Sequence, residues 1–120
     1  MTTDIKTNIM TIKPVVWLAD SLQQMSGFPA DARRFAGFEL WEVQQGNEPS
    51  NWKAMPSVGL GVNEIRVRVG GAHRVFYVAK FAEAVYVLHA FHKKAQKTPK
   101  PDIALARTRF RELILERKQR

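Results

Sequence analysis

The strongest constraint on the fold lies between residues 65 and 69, where apolar and basic side chains alternate strictly (Ile-Arg-Val-Arg-Val). Because successive side chains of a β-strand point to opposite faces, this pattern predicts a half-buried strand with both arginines on one face. Gly70 and Gly71 then predict a turn. Two further strands, at 74–81 and 85–91, complete a predicted antiparallel three-stranded meander over residues 64–91. The apolar run at 15–19 fits a fourth, buried strand.

Two predicted helices precede the meander and form a helical hairpin. The first begins at Asp20, an N-cap with Gln23 placed for the reciprocal bond. Leu22 and Met25 are expected to face inward, and Gly27 ends this helix. The second helix opens at its first position with a proline and carries a single apolar stripe, which comprises Ala32, Phe35, Ala36, Leu40 and Val43 after Pro29.

The segments on either side of the meander predict loops and a last helix. Residues 47–62 are rich in Gly, Pro, Ser and Asn and predict a long loop. Three tryptophans are expected to pack in the core or against the hairpin: Trp17, Trp41 and Trp52. A C-terminal helix is expected after the basic loop 93–100, with Thr98 as cap and Pro99 at its first position. Its predicted buried stripe is Ile103, Ala106, Phe110, Leu113 and Ile114. Its cations are expected to face solvent, namely Arg107, Arg109, Arg111, Arg117 and Lys118.

These elements predict an α/β fold in which a helical hairpin packs on a twisted, mainly antiparallel four-stranded sheet, with a C-terminal helix. A chain of 120 residues has room for one domain. We therefore expect a single domain over residues 14–120, preceded by a flexible arm at 1–13. The sequence leaves open whether Met1 or Met10 is the native start.

Composition excludes several classes of chemistry and suggests a class of partner. The chain has no cysteine, which rules out disulfides, thiolate metal sites and cysteine nucleophiles. No apolar run approaches the length of a membrane helix, and no secretory signal is evident, so a cytoplasmic protein is expected. Residues 92–120 hold ten Lys and Arg against three Asp and Glu, whereas residues 1–91 are nearly neutral. A basic tail on a near-neutral body suggests a polyanion, an acidic protein or a membrane surface as partner.

The length of the turn after residue 69 decides whether Arg74 joins Arg66 and Arg68. A two-residue turn would place Arg74 among buried valines, where an arginine needs a partner charge. A three-residue turn would pair Val69 with His73 and Arg68 with Arg74, which gathers the three arginines on one face. We favour the three-residue turn. The alternative interpretation is that these arginines are exposed strand residues paired with carboxylates such as Glu64 or Glu83.

Three converging guanidinium groups predict an anionic ligand, and phosphate suits their planar fork of donors. Lys93 and Lys94 follow the neighbouring strand and would add to this surface. His92 stands beside these lysines, where a general acid or base is reasonable. His89, on strict alternation, shares a strand face with Val85 and Val87 and is expected in the core. The histidines lack metal-ligand spacing, so no metal is predicted.

The same segments resemble the HigB-like, phage-associated branch of the RelE/ParE toxin superfamily. The resemblance covers residues 14–113 and is carried by Glu64-Ile-Arg-Val-Arg-Val-Gly-Gly-Ala-His-Arg-Val-Phe-Tyr77, Val85-Tyr-Val-Leu-His-Ala-Phe-His-Lys-Lys94, Thr98-Pro-Lys100 and Asn51-Trp-Lys53-Ala-Met55. It implies a RelE-like fold and the toxin of a type II toxin–antitoxin pair. Many relatives cut messenger RNA in the ribosomal A site, whereas the ParE group inhibits DNA gyrase.

The resemblance matches basic residues of the superfamily's nucleases to Arg66, Arg68, Arg74 and Lys93 or Lys94. Our leading hypothesis is a metal-independent endoribonuclease with no cofactor, whose catalytic residues are predicted to be Arg66, Arg68, Arg74, His92, Lys93 and Lys94. The predicted RNA-binding residues are Lys53, Phe91, Lys97, Lys100, Arg107 and Arg111. The C-terminal stretch departs from relatives that place a tyrosine or a histidine there, so the proton-transfer group stays open. The expected partners are a helix-turn-helix antitoxin, messenger RNA and the ribosome, with no membrane.

Two other hypotheses remain open at this point. In the first, the chain is a non-enzymatic gyrase inhibitor whose basic face binds protein. In the second, the arginines serve only to dock an acidic segment of the antitoxin.

Overall fold

The computed structural model describes residues 12–120, which form one open five-stranded sheet with three helices. In chain order the elements are β1 (Val15–Trp17), α1 (Ser21–Ser26), α2 (Ala30–Gln44), β2 (Trp52–Ala54), β3 (Val62–Val67), β4 (His73–Val78), β5 (Val85–His92) and α3 (Lys100–Lys118). The strand order is β1-β5-β4-β3-β2, with β1 parallel to β5 and every other pair antiparallel. The predicted α/β fold, helical hairpin and C-terminal helix are confirmed.

The fifth strand, β2, lies within the segment that the sequence predicts as a loop. Trp52 pairs with Ile65 and Ala54 with Asn63, so β2 extends the sheet beyond β3. All three of its residues are exposed. The prediction of four strands is wrong at this edge because a three-residue, solvent-facing strand carries no apolar periodicity that could reveal it.

The predicted arm at residues 1–13, with the possible start at Met10, lies outside the described residues except for its last two. Lys13 is fixed to the domain rather than free. Its backbone N–H donates to the carbonyl of Gln44 over 3.1 Å, and its Nζ donates to the carbonyl of Ala79 over 2.6 Å.

The sheet buries an apolar layer on each of its faces. On one face, α1 and α2 cover side chains of the three central strands that include Ile65, Val67, Val75, Tyr77 and Val87. On the other face, α3 and the segment after β2 cover Val62, Phe76, Val78, Tyr86 and Leu88. Each such side chain contributes about 1.5–3 kcal/mol through burial. The middle strands are therefore nearly continuous apolar runs in the sequence, because both of their faces are covered.

An irregularity in β5 changes which of its side chains share a face. Phe76 pairs with His89 and Tyr77 pairs with Val87, so Leu88 is an extra residue, a β-bulge. After the bulge, His89 lies on the α3 face, whereas Val87 lies on the hairpin face. The prediction from strict alternation that His89 shares a face with Val85 and Val87 is therefore wrong. Its Nε2 lies 2.6 Å from Asp102 Oδ1 of α3.

Several predicted burials also differ. Leu22, Trp41 and Trp52 are exposed. Arg109, expected in solvent, is buried between α3 and the sheet. Neither predicted side-chain cap forms. Asp20 occupies the N-cap position of α1 without a capping bond from its side chain, and Pro99, rather than Thr98, occupies the N-cap position of α3. No helix in the described part of the chain has the length and apolar character to cross a membrane.

Candidate active site

The register between β3 and β4 decides the geometry of the arginines. Arg66 pairs with Arg74 and Val67 with His73, so the connection spans residues 68–72. Both predicted turns, of two and of three residues, are too short. A five-residue connection keeps the parity of the three-residue one, and Arg66 and Arg74 therefore share the α3 face. The predicted pairing of Arg68 with Arg74 is wrong, since Arg68 lies beyond the end of β3 and is exposed.

A buried carboxylate, Glu64, lies between the two strand arginines. Its Oε1 accepts a hydrogen bond from Arg66 Nε at 3.1 Å and lies 3.6 Å from Arg74 Nε. Glu64 is 2% exposed and Arg74 is 4% exposed, whereas Arg66 is partly open to solvent. Alternation along β3 explains the pairing, because residues 64 and 66 project from the same face.

This charge cluster is not fully satisfied within the protein. Glu64 Oε2 and Arg74 Nε are buried and have no hydrogen-bond partner within residues 12–120. Arg74 donates from Nη1 to the carbonyl of His73 over 3.0 Å. Burial lowers the pKa of Arg74, and the carboxylate of Glu64 opposes that shift. Buried polar atoms without partners are costly, and each calls for an explanation such as a catalytic role or a bound water or ion.

Two members of the cluster, Glu64 and Arg66, line an open groove of about 650 Å³, which we call the basic groove, and Arg74 is buried beside them. Its wall residues come from β2, β3, the end of β5 and the start of α3, and they are Lys53, Met55, Glu64, Arg66, Lys93, Gln96, Lys97, Thr98, Pro99, Lys100 and Ile103. Five of them are cationic and one is a carboxylate. The groove therefore presents a positive field with a single negative charge on its wall, an arrangement suited to a phosphodiester.

Lys93 stands where the groove meets the arginines. Partial burial lowers its pKa, and the positive charge of Arg74 adds to that effect, while Glu64 opposes it. Its Nζ donates to the carbonyl of Gln96 over 2.6 Å, which holds the ammonium group at the groove wall. A lysine with a lowered pKa transfers a proton more readily than an ordinary one.

The structure places the other predicted site residues as follows. His92 pairs with His73 and lies on the hairpin face of the sheet, away from Arg74. Phe91 faces the groove side but is 8% exposed, packed between Phe76 and His89. Lys94 is exposed beyond the strand end. Two α3 arginines lie farther along that helix: Arg107 donates to the carbonyl of Ser57, and Arg111 borders a separate hollow.

Glu64 is the site residue that the sequence does not single out. The sequence offers it only as a surface partner for the arginines, whereas the structure buries it at the centre of the cluster. The signal that could have identified Glu64 is its position two residues before Arg66 in a strand, because that spacing places both side chains on one face. Within residues 12–120, no group of three or more histidine, aspartate or glutamate side chains is arranged to hold a metal ion.

An open five-stranded sheet with a helical hairpin on one face, and a basic groove beside a C-terminal helix on the other, makes this a small α/β protein. The chain belongs to the family described as phage derived protein Gp49-like (DUF891), whose model matches residues 23–111. No curated protein sequence matches the chain significantly.

Proposed function

We propose that this protein is the toxin of a type II toxin–antitoxin pair, in the HigB-like branch, and that it is a metal-independent endoribonuclease acting on messenger RNA at the ribosome. The single observation that carries the proposal is the Glu64–Arg66–Arg74 cluster at the wall of the basic groove. A carboxylate between two guanidinium groups offers a proton acceptor beside two phosphate ligands. Membership of a RelE-type family supports the toxin assignment.

The proposed reaction needs no group from outside the protein and the RNA. The 2′-oxygen attacks the adjacent phosphorus as the carboxylate of Glu64 takes its proton. The bond from phosphorus to the 5′-oxygen then breaks, leaving a 2′,3′-cyclic phosphate. Lys93 supplies the proton that the departing 5′-oxygen takes up. Positioned acid and base groups each contribute typically about 10²–10⁴-fold to such rates.

The guanidinium groups of Arg66 and Arg74 stabilise the negative charge that develops on the phosphorane oxygens. Preorganised charge of this kind usually contributes more to catalysis than any other single effect. The lysines farther along the groove, Lys53, Lys97 and Lys100, hold the flanking phosphates. Arg68, Lys94, Arg107 and Arg111 lie outside the groove wall, and we assign them peripheral contacts with RNA.

The test is cleavage of a messenger RNA during translation in a purified system. Glu64→Gln keeps the shape of the side chain and removes the proton acceptor, so cleavage should fall about 10²-fold or more. Arg66→Ala should also lose most activity. Lys118→Ala, an exposed cation of α3 outside the groove, is the matched control and should cleave normally. Full activity in Glu64→Gln would remove this site from the mechanism.

The same assay decides against the proposal as a whole if the wild-type chain leaves RNA intact with and without ribosomes. Inhibition of gyrase supercoiling under those conditions would assign the ParE-like activity instead. The proposed partner is a helix-turn-helix antitoxin encoded beside this gene. Co-expression of that neighbour should relieve growth arrest and yield a complex that co-purifies with this chain.

A further inference from the structure

Three aromatic rings form a column on the hairpin side of the sheet, behind the basic groove. The ring centroids of Phe28 and His73 lie 4.5 Å apart, and those of His73 and His92 lie 4.7 Å apart with planes inclined by 22°. Phe28 and His73 are buried, whereas His92 is exposed. The column therefore runs from the core to the surface and ends in an imidazole open to solvent.

A hollow of about 270 Å³ surrounds the outer end of this column. The end of α1, the turn before β4 and the last residues of β5 enclose it; among its wall residues are Gln23, Gln24, Pro29 and Gly70. The turn comes very close to the rings, since a Cβ on Gly71 would lie 3.4 Å from His92 Nε2. Gly71 also has a φ of 100°, which glycine adopts without strain.

The inner imidazole has unused hydrogen-bonding capacity. His73 is 2% exposed, and its Nδ1 has no hydrogen-bond partner within the described residues. Burial lowers the pKa of His73, and the neighbouring His92 adds to the shift.

We propose that this hollow is a nucleobase subsite, in which one base of a single-stranded RNA stacks on the exposed face of His92. The inference rests on the proposed function, because it takes RNA as the substrate. Lys93 follows His92 directly and faces the basic groove. An RNA strand can therefore place its phosphate in the groove and a neighbouring base around the end of β5, on the column.

Two features favour a base over other occupants. An aromatic platform beside lysines is the usual arrangement for binding single strands, because every base has a π face and every linkage a negative charge. The amide side chain of Gln23 lies at the hollow, where it can pair with the edge of a base. The histidine thus serves as a binding residue rather than as the acid or base of the reaction.

The experiment measures binding of a short 2′-O-methyl RNA, which cannot be cleaved, with a 2-aminopurine placed at successive positions. Loss of the ring in His92→Ala should weaken binding about 5- to 150-fold, the range for one base–aromatic stack. His92→Phe should bind within about threefold of wild type. His92→Lys introduces a cation without a ring, and should be as weak as the alanine variant. The fluorescence of 2-aminopurine should be quenched at a single position of the RNA. This quenching should be seen with wild type and with His92→Phe, but not with the other two variants.

The outcomes separate this subsite from the proposed function. If wild type cleaves messenger RNA but His92→Ala binds RNA normally, the subsite is wrong and the nuclease assignment stands. If His92→Phe is as weak as His92→Ala, stacking is not the role of this ring. If His92→Ala binds RNA normally but loses the antitoxin, the column is a protein contact. Thermal unfolding checks each variant, and the exposed position of His92 should leave stability nearly unchanged.

Discussion

Arg109 Nη2 donates to Asp20 Oδ1 over 2.7 Å, so a buried guanidinium of the last helix holds the start of the first helix. The same side chain donates from Nη1 to the carbonyl of Leu88 over 2.8 Å. A single residue therefore ties α3 to α1 and to the bulge in β5. The apolar pattern of α3 predicts Arg109 in solvent. Its burial is missed because its two partners lie on elements that are distant in sequence.

Arg109→Ala should destabilise the protein by about 2–3 kcal/mol, because it removes charge-assisted hydrogen bonds and leaves the Leu88 carbonyl unpaired. Urea unfolding measures the change in the free energy of unfolding. Arg111→Ala is the matched control, two residues away and exposed, and should stay within about 0.5 kcal/mol of wild type. Equal stability of the two variants would show that the Asp20 and Leu88 contacts contribute little.

Glu83 should make stability depend on pH in the acid range. Hydrogen bonds from Arg117, and then from Tyr86, lower the pKa of Glu83 from 4.5 to about 2. A carboxyl group whose pKa falls on folding contributes stability above its unfolded value and loses it as pH drops toward the folded one. The stabilising effect of Glu83 should thus be complete above pH 4.5 and fade toward pH 2.

The comparison of wild type with Glu83→Gln in thermal unfolding from pH 6 to pH 2 isolates this effect. The melting temperatures should differ most above pH 4.5 and converge at the acid end. A difference that stays constant with pH would mean that ionisation of Glu83 is not linked to folding.

Substitution by alanine at two glycines, Gly59 and Gly37, should change the stability of the protein in opposite directions. A Cβ on Gly59 would lie 2.3 Å from the ring of Phe110, so Gly59→Ala must displace that ring from α3 and should cost about 1–3 kcal/mol. A Cβ on Gly37, inside α2, would meet nothing within 4 Å. Gly37→Ala should therefore stabilise the protein by about 0.5–1 kcal/mol. Chemical unfolding of both variants checks the pair, and a shift of the same sign in both would contradict it.

The lysines of the basic groove should set the salt dependence of RNA binding. Each phosphate contact with a single strand contributes roughly 0.7 to the slope of log K against log salt. The double variant Lys97→Ala/Lys100→Ala should therefore reduce the magnitude of this slope by about 1.4. It should weaken binding to the same extent whatever the RNA sequence. Anisotropy titrations over a range of salt concentrations measure this. An unchanged slope would place the backbone path elsewhere.

The helices and central strands follow from local signals in the sequence. The 3.6-residue stripe of α2 and the alternation in β3 each depend on neighbours a few positions apart. The stripe is confirmed, and the alternation is confirmed for residues 65–67, whereas Val69 lies beyond the strand and is exposed. β2 leaves no such signal in the sequence, because all three of its residues are exposed. The exposed positions of Trp41 and Trp52 are also missed, because the size of a side chain does not reveal which face it occupies.

The site depends on relationships that no local pattern contains. The parity of the β3–β4 connection follows from the hydrophobic pattern, so Arg66 and Arg74 could be placed on one face. The length of that connection could not be predicted from the sequence. The position of Arg68 beyond the paired part of β3 was therefore missed. The contact of Glu64 with Arg74 joins two paired strands, β3 and β4, and no pattern within one segment shows it. The orientations of the last two β5 side chains depend on the bulge, whose position only the paired strand determines.

Leu88 also determines where the length of β5 can vary among related chains. Removal of this one residue would restore strict pairing with β4, and the residues after it would keep both their partners and their faces. The imidazole of His92 would still lie opposite His73, and the ring of Phe91 opposite Arg74. A relative that lacks the bulge residue should therefore keep the same two layers, because the residue it lacks has no partner on β4.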